Sequence, residues 1–299
     1  MSSIGRPLVT IAIPTYNRAD GFLKQAIQSA LDQSYENIEV VISDNCSTDN
    51  TEAFVKGFPD KRIRYFRQPH NIGPYKNFNF CLEQAMGDYF LMLHDDDMID
   101  RDFVEACIEK AGYSKDIGVI RTGTRLVDGE GIIKAEFPNL TQGSSMEDFC
   151  KSWFAGKTAL YFCSTLFNTE GLRRIGGFHS RKNLFQDAVA VVKLASQYPI
   201  VNVEGIKASF RKHGGEITFS VRVSDWCDDS LQVIELTQEL ATRDKVFLLE
   251  ESMRFFSRLN YRRAMAVKDR LRRVWTHLIV WQKFQYKYPP PSLKRLLCK

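Results

Sequence analysis

Tyr89-Phe90-Leu91-Met92-Leu93-His94-Asp95-Asp96-Asp97 is the stretch on which the reading of this chain turns. Five consecutive apolar residues read as a strand buried on both faces, and after His94 three aspartates follow. Carboxylates a few ångströms apart in a partly dry cleft repel and raise one another's pKa unless a cation sits among them. Side chains alternate along a strand, so Asp95 and Asp97 are expected on one side and Asp96 on the other. Hard oxygen donors of this kind suit Mg²⁺ or Mn²⁺, which take few ligands from the protein and the rest from phosphates and water. The competing reading is a solvated acidic turn capping the helix that begins near Asp102. It leaves the preceding apolar run unexplained.

Working outward, the N-terminal half alternates between two hydrophobic periods. Residues 8–13 form a β-branched run stopped by Pro14, and 38–43 and 62–66 are further strands. Between them, 19–33 carries Leu23, Ala26, Ile27, Ala30 and Leu31 on one helical face. The segments 51–56, 75–86 (closed by Gly87) and 102–111 are also helical. The fold class is therefore α/β, with a mostly parallel central sheet flanked by helices. Ligands of such sheets bind outside the carboxyl ends of the strands. There the chain places Pro14-Thr15-Tyr16-Asn17-Arg18, Asp44-Asn45-Cys46-Ser47-Thr48-Asp49, His70-Asn71-Ile72-Gly73 and the aspartates, all on one rim.

From about residue 117 the pattern changes. Residues 117–125 and 131–137 flank Asp128-Gly129 as a hairpin, and 145–154, 169–175 and 185–198 are helical. Gly176-Gly177-Phe178 is a turn, while 200–203 and 207–213 are strands. After Ser224 nearly everything is helical, until Pro289-Pro290-Pro291 breaks the last helix.

The 299 residues, 44% hydrophobic, suit one large domain or a domain with an appendage, and exclude a disordered or collagen-like chain. No apolar run approaches the ~18–20 residues of a membrane span. The opening Met1-Ser2-Ser3-Ile4-Gly5-Arg6-Pro7 lacks a secretory h-region. The seven cysteines form no CxxC pair and read as reduced thiols, so a cytoplasmic location is expected. The net charge of +5 conceals a division: residues 243–299 carry a net +11 and the preceding 242 a net −6. Basic character belongs to the tail, where no nucleic-acid-binding motif accompanies it, so no nucleic-acid partner is expected.

A sparingly held divalent ion implies a phosphorylated ligand. The chain has neither a GxxxxGK[ST] loop nor a GxGxxG opening a helix after a strand, which argues against a P-loop ATPase and a Rossmann dehydrogenase. Phosphates would be met by metal and scattered side chains, with Arg18, Lys76, Arg211 and His213 as candidates.

Together, Pro14-Thr15-Tyr16-Asn17, Asp44-Asn45-Cys46-Ser47-Thr48-Asp49-Asn50-Thr51, Asn71-x-Gly73-x-x-x-Asn77, and Gly87-Asp88-Tyr89 leading into His94-Asp95-Asp96-Asp97 resemble the family 2 glycosyltransferases. These are inverting enzymes of GT-A fold that use nucleotide-diphosphate sugars. The resemblance spans about residues 8–105. It continues more loosely through Gly176-Gly177-Phe178, Gln186-Asp187 and Arg211-x-His213. It implies that Pro14, Thr15, Tyr16, Asn17 and Arg18 wrap the nucleoside, and that Asp44 accepts a hydrogen bond from a uracil or thymine N–H. It further implies that Asn71, Gly73 and Asn77 line the nucleotide floor. Asp96 would face ribose or metal, Asp97 would be the most direct metal ligand, and Asp95 and His213 are further metal candidates. His94 stands where the family commonly has an acid, which leaves open whether Asp95 or Asp96 makes the second contact. It is either a ligand or a packed residue.

Inverting transfer needs a base for the acceptor hydroxyl and stabilisation of the leaving diphosphate. The resemblance assigns the base to Asp187; many relatives carry two acids there, whereas this chain has Gln186 and one. His213 would reach the diphosphate if the stretch 216–219 closes. The implied donor is a UDP- or dTDP-sugar. The implied acceptor is a glycan or lipid-linked hydroxyl, as in O-antigen- or capsule-type polysaccharide synthesis. On this reading 1–224 is the GT-A-like catalytic domain, with 1–110 its nucleotide-binding half and 111–224 its acceptor-binding half. Residues 225–299 are a basic helical C-terminal region.

Within that region, 261–287 reads as one amphipathic helix with Arg262, Arg263, Lys268, Arg270, Arg272, Arg273 and Lys283. Its aromatics are Trp275, Trp281, Phe284, Tyr286 and Tyr288. Such a mixture suits the headgroup region of an anionic cytoplasmic leaflet, so peripheral membrane contact through 243–299 is expected. The plainer alternative is a helical subdomain packing its aromatics on the catalytic domain. Two other functions compete with glycosyl transfer. A sugar-phosphate nucleotidylyltransferase would want a Gly-rich basic loop after the first strand. A non-catalytic nucleotide-binding scaffold would bind donor without turning it over.

Overall fold

The computed structural model describes residues 5–19, 21–214 and 221–290. Strand β1 (Val9–Thr15) is buried along its whole length and pairs in parallel with β2 (Ile38–Asp44), Thr15 level with Asp44. Pro14 does not stop this strand. Ala12 accepts from Leu93 and Thr15 from Asn45, so Pro14 turns toward the β4 side, beyond the last β4 pair at Met92. A residue without an N–H is tolerated there because no ladder partner remains. Parallel pairing continues outward to β3 (Ile63–Arg67) and, on the other side of β1, to β4 (Tyr89–Met92). The intervening helices are α1 (Leu23–Leu31), α2 (Thr51–Lys56) and α3 (Pro74–Gln84). Helix α1 turns Leu23, Ala26, Ile27 and Ala30 inward, and α3 opens with Pro74 after Gly73 at φ +85°.

Past the aspartates come the short β5 (Met98–Ile99) and α4 (Phe103–Lys110). The sheet is mixed beyond this point. Strand β6 (Val119–Val127) forms the expected hairpin with β7 (Ile133–Phe137). Helix α5 (Met146–Phe154) follows, its start closed by a Ser145–Asp148 capping box. Strand β8 (Thr165–Asn168) inserts antiparallel between β4 and β6. Next are α6 (Thr169–Arg174), α7 (Gln186–Ala195) and β9 (Ile200–Arg211), the last parallel to β6 and antiparallel to β5. The sheet order is β3-β2-β1-β4-β8-β6-β9-β5, with β7 on β6.

The two strands expected at 200–203 and 207–213 are thus one strand of 12 residues. It accommodates the polar Asn202 and Glu204 through register shifts against β6 around Gly123. A Cβ on Gly123 would stand 2.8 Å from the Phe137 carbonyl oxygen, so only glycine fits the irregularity.

The expected single helix over 261–287 is two: α9 (Lys245–Met265) and α10 (Arg270–Lys283). Asp269 ends the continuity by accepting the Arg272 N–H and starting a new helix. Together with α8 (Val223–Leu240), these helices share one hydrophobic core with the sheet, joining Phe90, Val119 and Phe149 to Phe256, Val280 and Phe284. Helix α10 ends at Lys283, ahead of the prolines, and Pro291 lies outside the described residues. Among the described residues no helix is long and apolar enough to cross a membrane. Cys46, Cys81, Cys107, Cys150, Cys163 and Cys227 are free thiols, and Cys298 lies outside the described residues.

Candidate active site

Two loops are stitched together along the rim. Asn17 adopts φ +55°, donates its backbone N–H to Ser47 Oγ at 2.8 Å and accepts the Thr48 N–H on its side chain at 2.8 Å. Arg18 N–H reaches Thr51 Oγ1 at 3.1 Å. Tyr16 is left 43% exposed at the mouth. Asp44 is wholly buried beneath this loop: its Oδ1 accepts the Ser47 N–H at 2.8 Å and its Oδ2 the Tyr65 hydroxyl at 2.6 Å. It shapes the loop from below.

The 71–77 residues divide the same way. Asn77 is buried and exchanges two hydrogen bonds with Ser43, fastening α3 to β2, while Lys76 is exposed. Asn71 takes the Asn45 side-chain N–H at 2.9 Å, and Asn45 in turn accepts from Ile72 at 2.8 Å. Asn45 and Ser47 thus hold three of the loops in register. Both were visible in the Asp44–Thr51 cluster without a role of their own.

The aspartates do not alternate as a strand would arrange them, because β4 ends at Met92 and a turn follows, with Asp97 N–H bonded to the His94 carbonyl. Asp95 diverges toward Arg18, 3.6 Å from its Nε. Ligand atoms of His94, Asp96 and Asp97 lie within 4.8 Å of one another. His213 Nε2 stands 3.1 Å from Asp96 Oδ2. Burial, reinforced by the Asp96 charge, pushes the Asp95 carboxyl up to about 6 and raises Asp97 well above the usual carboxylate range. Burial also pushes the His94 imidazole below its ordinary value, and its Nδ1 stands 4.0 Å from Asp97 Oδ2. Crowded carboxylates beside a neutral imidazole nitrogen fit a divalent cation.

Arg211 lies beneath the rim, 1% exposed. Its guanidinium is committed to the Asp96 and Asp128 carbonyls and to Gln25 Oε1, and it stacks 4.2 Å over the Phe22 ring. It therefore braces the acid loop and is not presented to a phosphate. The sequence placed it among the phosphate-binding candidates, since nothing in the pattern marks a buried arginine. The stretch 216–219, assigned above to loop closure, lies outside the described residues.

Asp187 is half-buried in the first turn of α7. Burial raises its pKa to about 7, partly opposed by the Ala188 N–H and the charge of Arg121. Arg121 is itself fully buried on β6 and lies over the Phe149 ring. Burial raises the pKa of the Tyr161 hydroxyl, and the charges of Asp97 and Asp187 both add to that rise. Neither Arg121 nor Tyr161 was singled out for chemistry by the sequence.

A sheet of this topology, with an acidic turn at the carboxyl end of a central strand, defines a GT-A glycosyltransferase fold. The profile described as "Glycosyl transferase family 2" matches residues 10–164, and the chain belongs to that family. An uncharacterised glycosyltransferase of Haemophilus influenzae is 43% identical over 101 residues, covering 33% of this chain and 40% of the relative. A Campylobacter jejuni GalNAc(5)-diNAcBac-PP-undecaprenol β-1,3-glucosyltransferase is 31% identical over 173 residues, 55% of this chain and 54% of that one. The chain thus spans about half the length, or less, of these curated relatives. The crystal structure of Staphylococcus aureus TarS 1–349 in complex with UDP-GlcNAc superposes with a TM-score of 0.65 at 17% identity, covering 93% of this chain and 89% of that one.

Proposed function

We propose that this chain transfers a sugar, with inversion, from a UDP- or dTDP-sugar to a hydroxyl of a glycan or lipid-linked acceptor in cell-envelope polysaccharide synthesis. The observation that carries the reading is Asp187: a half-buried carboxylate in the first turn of α7 whose pKa burial raises to about 7. A base poised near the working pH is what proton removal from an attacking hydroxyl requires.

In the reaction the loops at 14–18 and 44–51 seat the nucleoside, with Tyr16 at the mouth. Asp187 takes the proton as the acceptor oxygen bonds to the anomeric carbon and the bond to the β-phosphate breaks. His94, Asp96 and Asp97 would hold Mg²⁺ or Mn²⁺, with His213 beside Asp96. Such an ion, when bound, neutralises charge growing on the leaving diphosphate. Arg18 is a rim cation beside the acids, through its pairing with Asp95. Two names support the substrate classes: TarS is crystallised with UDP-GlcNAc, and the Campylobacter relative is named for an undecaprenyl-diphosphate acceptor.

Peripheral contact with the anionic inner face of the cytoplasmic membrane belongs to the same proposal. Of the tail aromatics, Phe284 is buried and the Tyr288 hydroxyl donates to the Glu250 carbonyl. The outer face of α10 keeps Leu271 (80% exposed), Trp275 (66%) and Leu278, with exposed Lys268, Arg270 and Arg272 beside them. Apolar anchors ringed by cations match an anionic leaflet.

The test is ligand-linked stabilisation by UDP, dTDP and GDP, with and without Mn²⁺, followed by transfer assays on Asp187→Asn. Metal-dependent stabilisation by a uridine or thymidine nucleotide is expected, with the variant still binding donor but losing transfer. Near-normal turnover by Asp187→Asn would remove Asp187 as the base.

A further inference from the structure

Asp229 lies on the inward face of α8 and is fully buried. Both its carboxylate oxygens are spent on one short stretch of chain. Oδ2 accepts from the Ser180 hydroxyl at 2.6 Å, the Leu184 N–H at 2.7 Å and the Phe185 N–H at 3.1 Å. Oδ1 accepts from the Lys182 N–H at 2.6 Å. This stretch delivers the chain into α7, whose second residue is Asp187. Phe185 occupies the N-cap position of α7 and gives it no side-chain cap. The usual means by which a helix fixes its own first turn is therefore missing. The orientation of that turn is imposed from outside, by α8 and α9. Beyond the four hydrogen bonds, the Phe185 ring meets Trp226 at 5.3 Å and Phe256 at 5.4 Å, and Arg263 lies 3.7 Å over Trp226. Asn183, in the middle of the stretch, sits at φ +57°, a left-handed conformation that asparagine tolerates better than most side chains.

We propose that Asp229 is the positioning residue for Asp187: it holds the 180–185 turn so that the base meets the acceptor hydroxyl. This rests on the assignment of Asp187 as the base. A carboxylate accepting several N–H and O–H donors is bound through charge-assisted hydrogen bonds, the strongest of the neutral-pH repertoire. Displacing a reacting group by about 1 Å can cost on the order of 10²-fold in rate. Asp229→Asn keeps the volume but turns one acceptor oxygen into a donor that faces donors, which loosens the turn while leaving the nucleotide rim untouched.

The experiment compares the parent chain, Asp229→Asn, Asp187→Asn and the double variant. Expected for Asp229→Asn are an unchanged nucleotide affinity with Mn²⁺, a kcat lower by about 10- to 100-fold, and an acid limb of the pH profile moved from that of the parent. In the Asp187→Asn background the same change should cost less than about twofold, because residues acting as one unit are not additive. Multiplying losses in the double variant, or a folded Asp229→Asn with parental kcat, would overturn the proposal. If Asp229→Asn does not fold, Ser180→Ala removes a single donor and should show a smaller kcat loss with the same non-additivity; its absence is equally decisive. Parental turnover by Asp187→Asn alone would instead defeat the base assignment, whatever Asp229 does.

Discussion

The backbone N–H of Arg211 donates to Asp97 Oδ1 at 2.9 Å, so the end of β9 is joined to the acid loop after β4 through the Asp97 carboxylate. The guanidinium of the same residue grips the Asp96 carbonyl from beneath, at 2.9 Å. One residue therefore fixes two of the three aspartates without offering its charge to the cleft.

Replacing that guanidinium separates bracing from phosphate binding. Arg211→Met should retain the N–H to Asp97 but leave the half-buried Asp96 and Asp128 carbonyls without this donor, at up to about 1–3 kcal/mol each when uncompensated. The expected outcome is a lower unfolding midpoint in denaturant. Loss of nucleotide affinity with unchanged stability would instead place Arg211 at the diphosphate.

The acid limb of kcat/KM should fall near pH 7. Asp187 must be ionised to accept a proton, so activity is low below about 7 and rises as pH passes through that value. The Arg121 charge favours the ionised form, so Arg121→Met should move the limb to higher pH. A pH–rate profile checks both directions. A downward shift would show that Arg121 does not act on Asp187.

Chelation with EDTA should abolish transfer, and Asp97→Asn and His94→Ala should each remove most of the Mn²⁺-dependent stabilisation by a nucleoside diphosphate. For scale, a ligand at 100 times its Kd stabilises by about 2.7 kcal/mol. Asp95→Asn should weaken this less, since Asp95 pairs with Arg18 and its oxygens are not among the ligand atoms that converge. Melting curves with and without Mn²⁺ rank the three. A larger loss for Asp95 than for Asp97 would reverse the assignment of ligands.

Flotation with vesicles containing phosphatidylglycerol should recover the full chain at low salt. Trp275→Ala combined with Leu278→Ala should reduce recovery several-fold without lowering the melting temperature, because both side chains are exposed. Equal recovery of parent and double variant would remove the outer face of α10 as a membrane contact.

The first four strands and the rim they share were legible because buried β-branched runs and the loops after them leave a strong periodic signature. The division of labour at the rim was not. The resemblance implied nucleotide contacts for Asp44 and Asn77, and Arg211 was a phosphate candidate. In the structure each spends its polar atoms on protein partners. The diverging aspartates were misread because the alternation of a strand was extended beyond Met92, into a turn. Asp229 carried a usable signal, an acid on the same helical face as Trp226, Ser230 and Val233. Arg121 carried none, since an isolated basic residue in a strand resembles any surface cation.

Phe256 of α9 touches Phe185, two residues before Asp187, and belongs to the same core as Phe90 of β4. The chain's specificity cannot therefore be exchanged by cutting at residue 224 and grafting the front portion onto another enzyme's tail. A working chimera has to bring α8 and α9 along with the strands they brace.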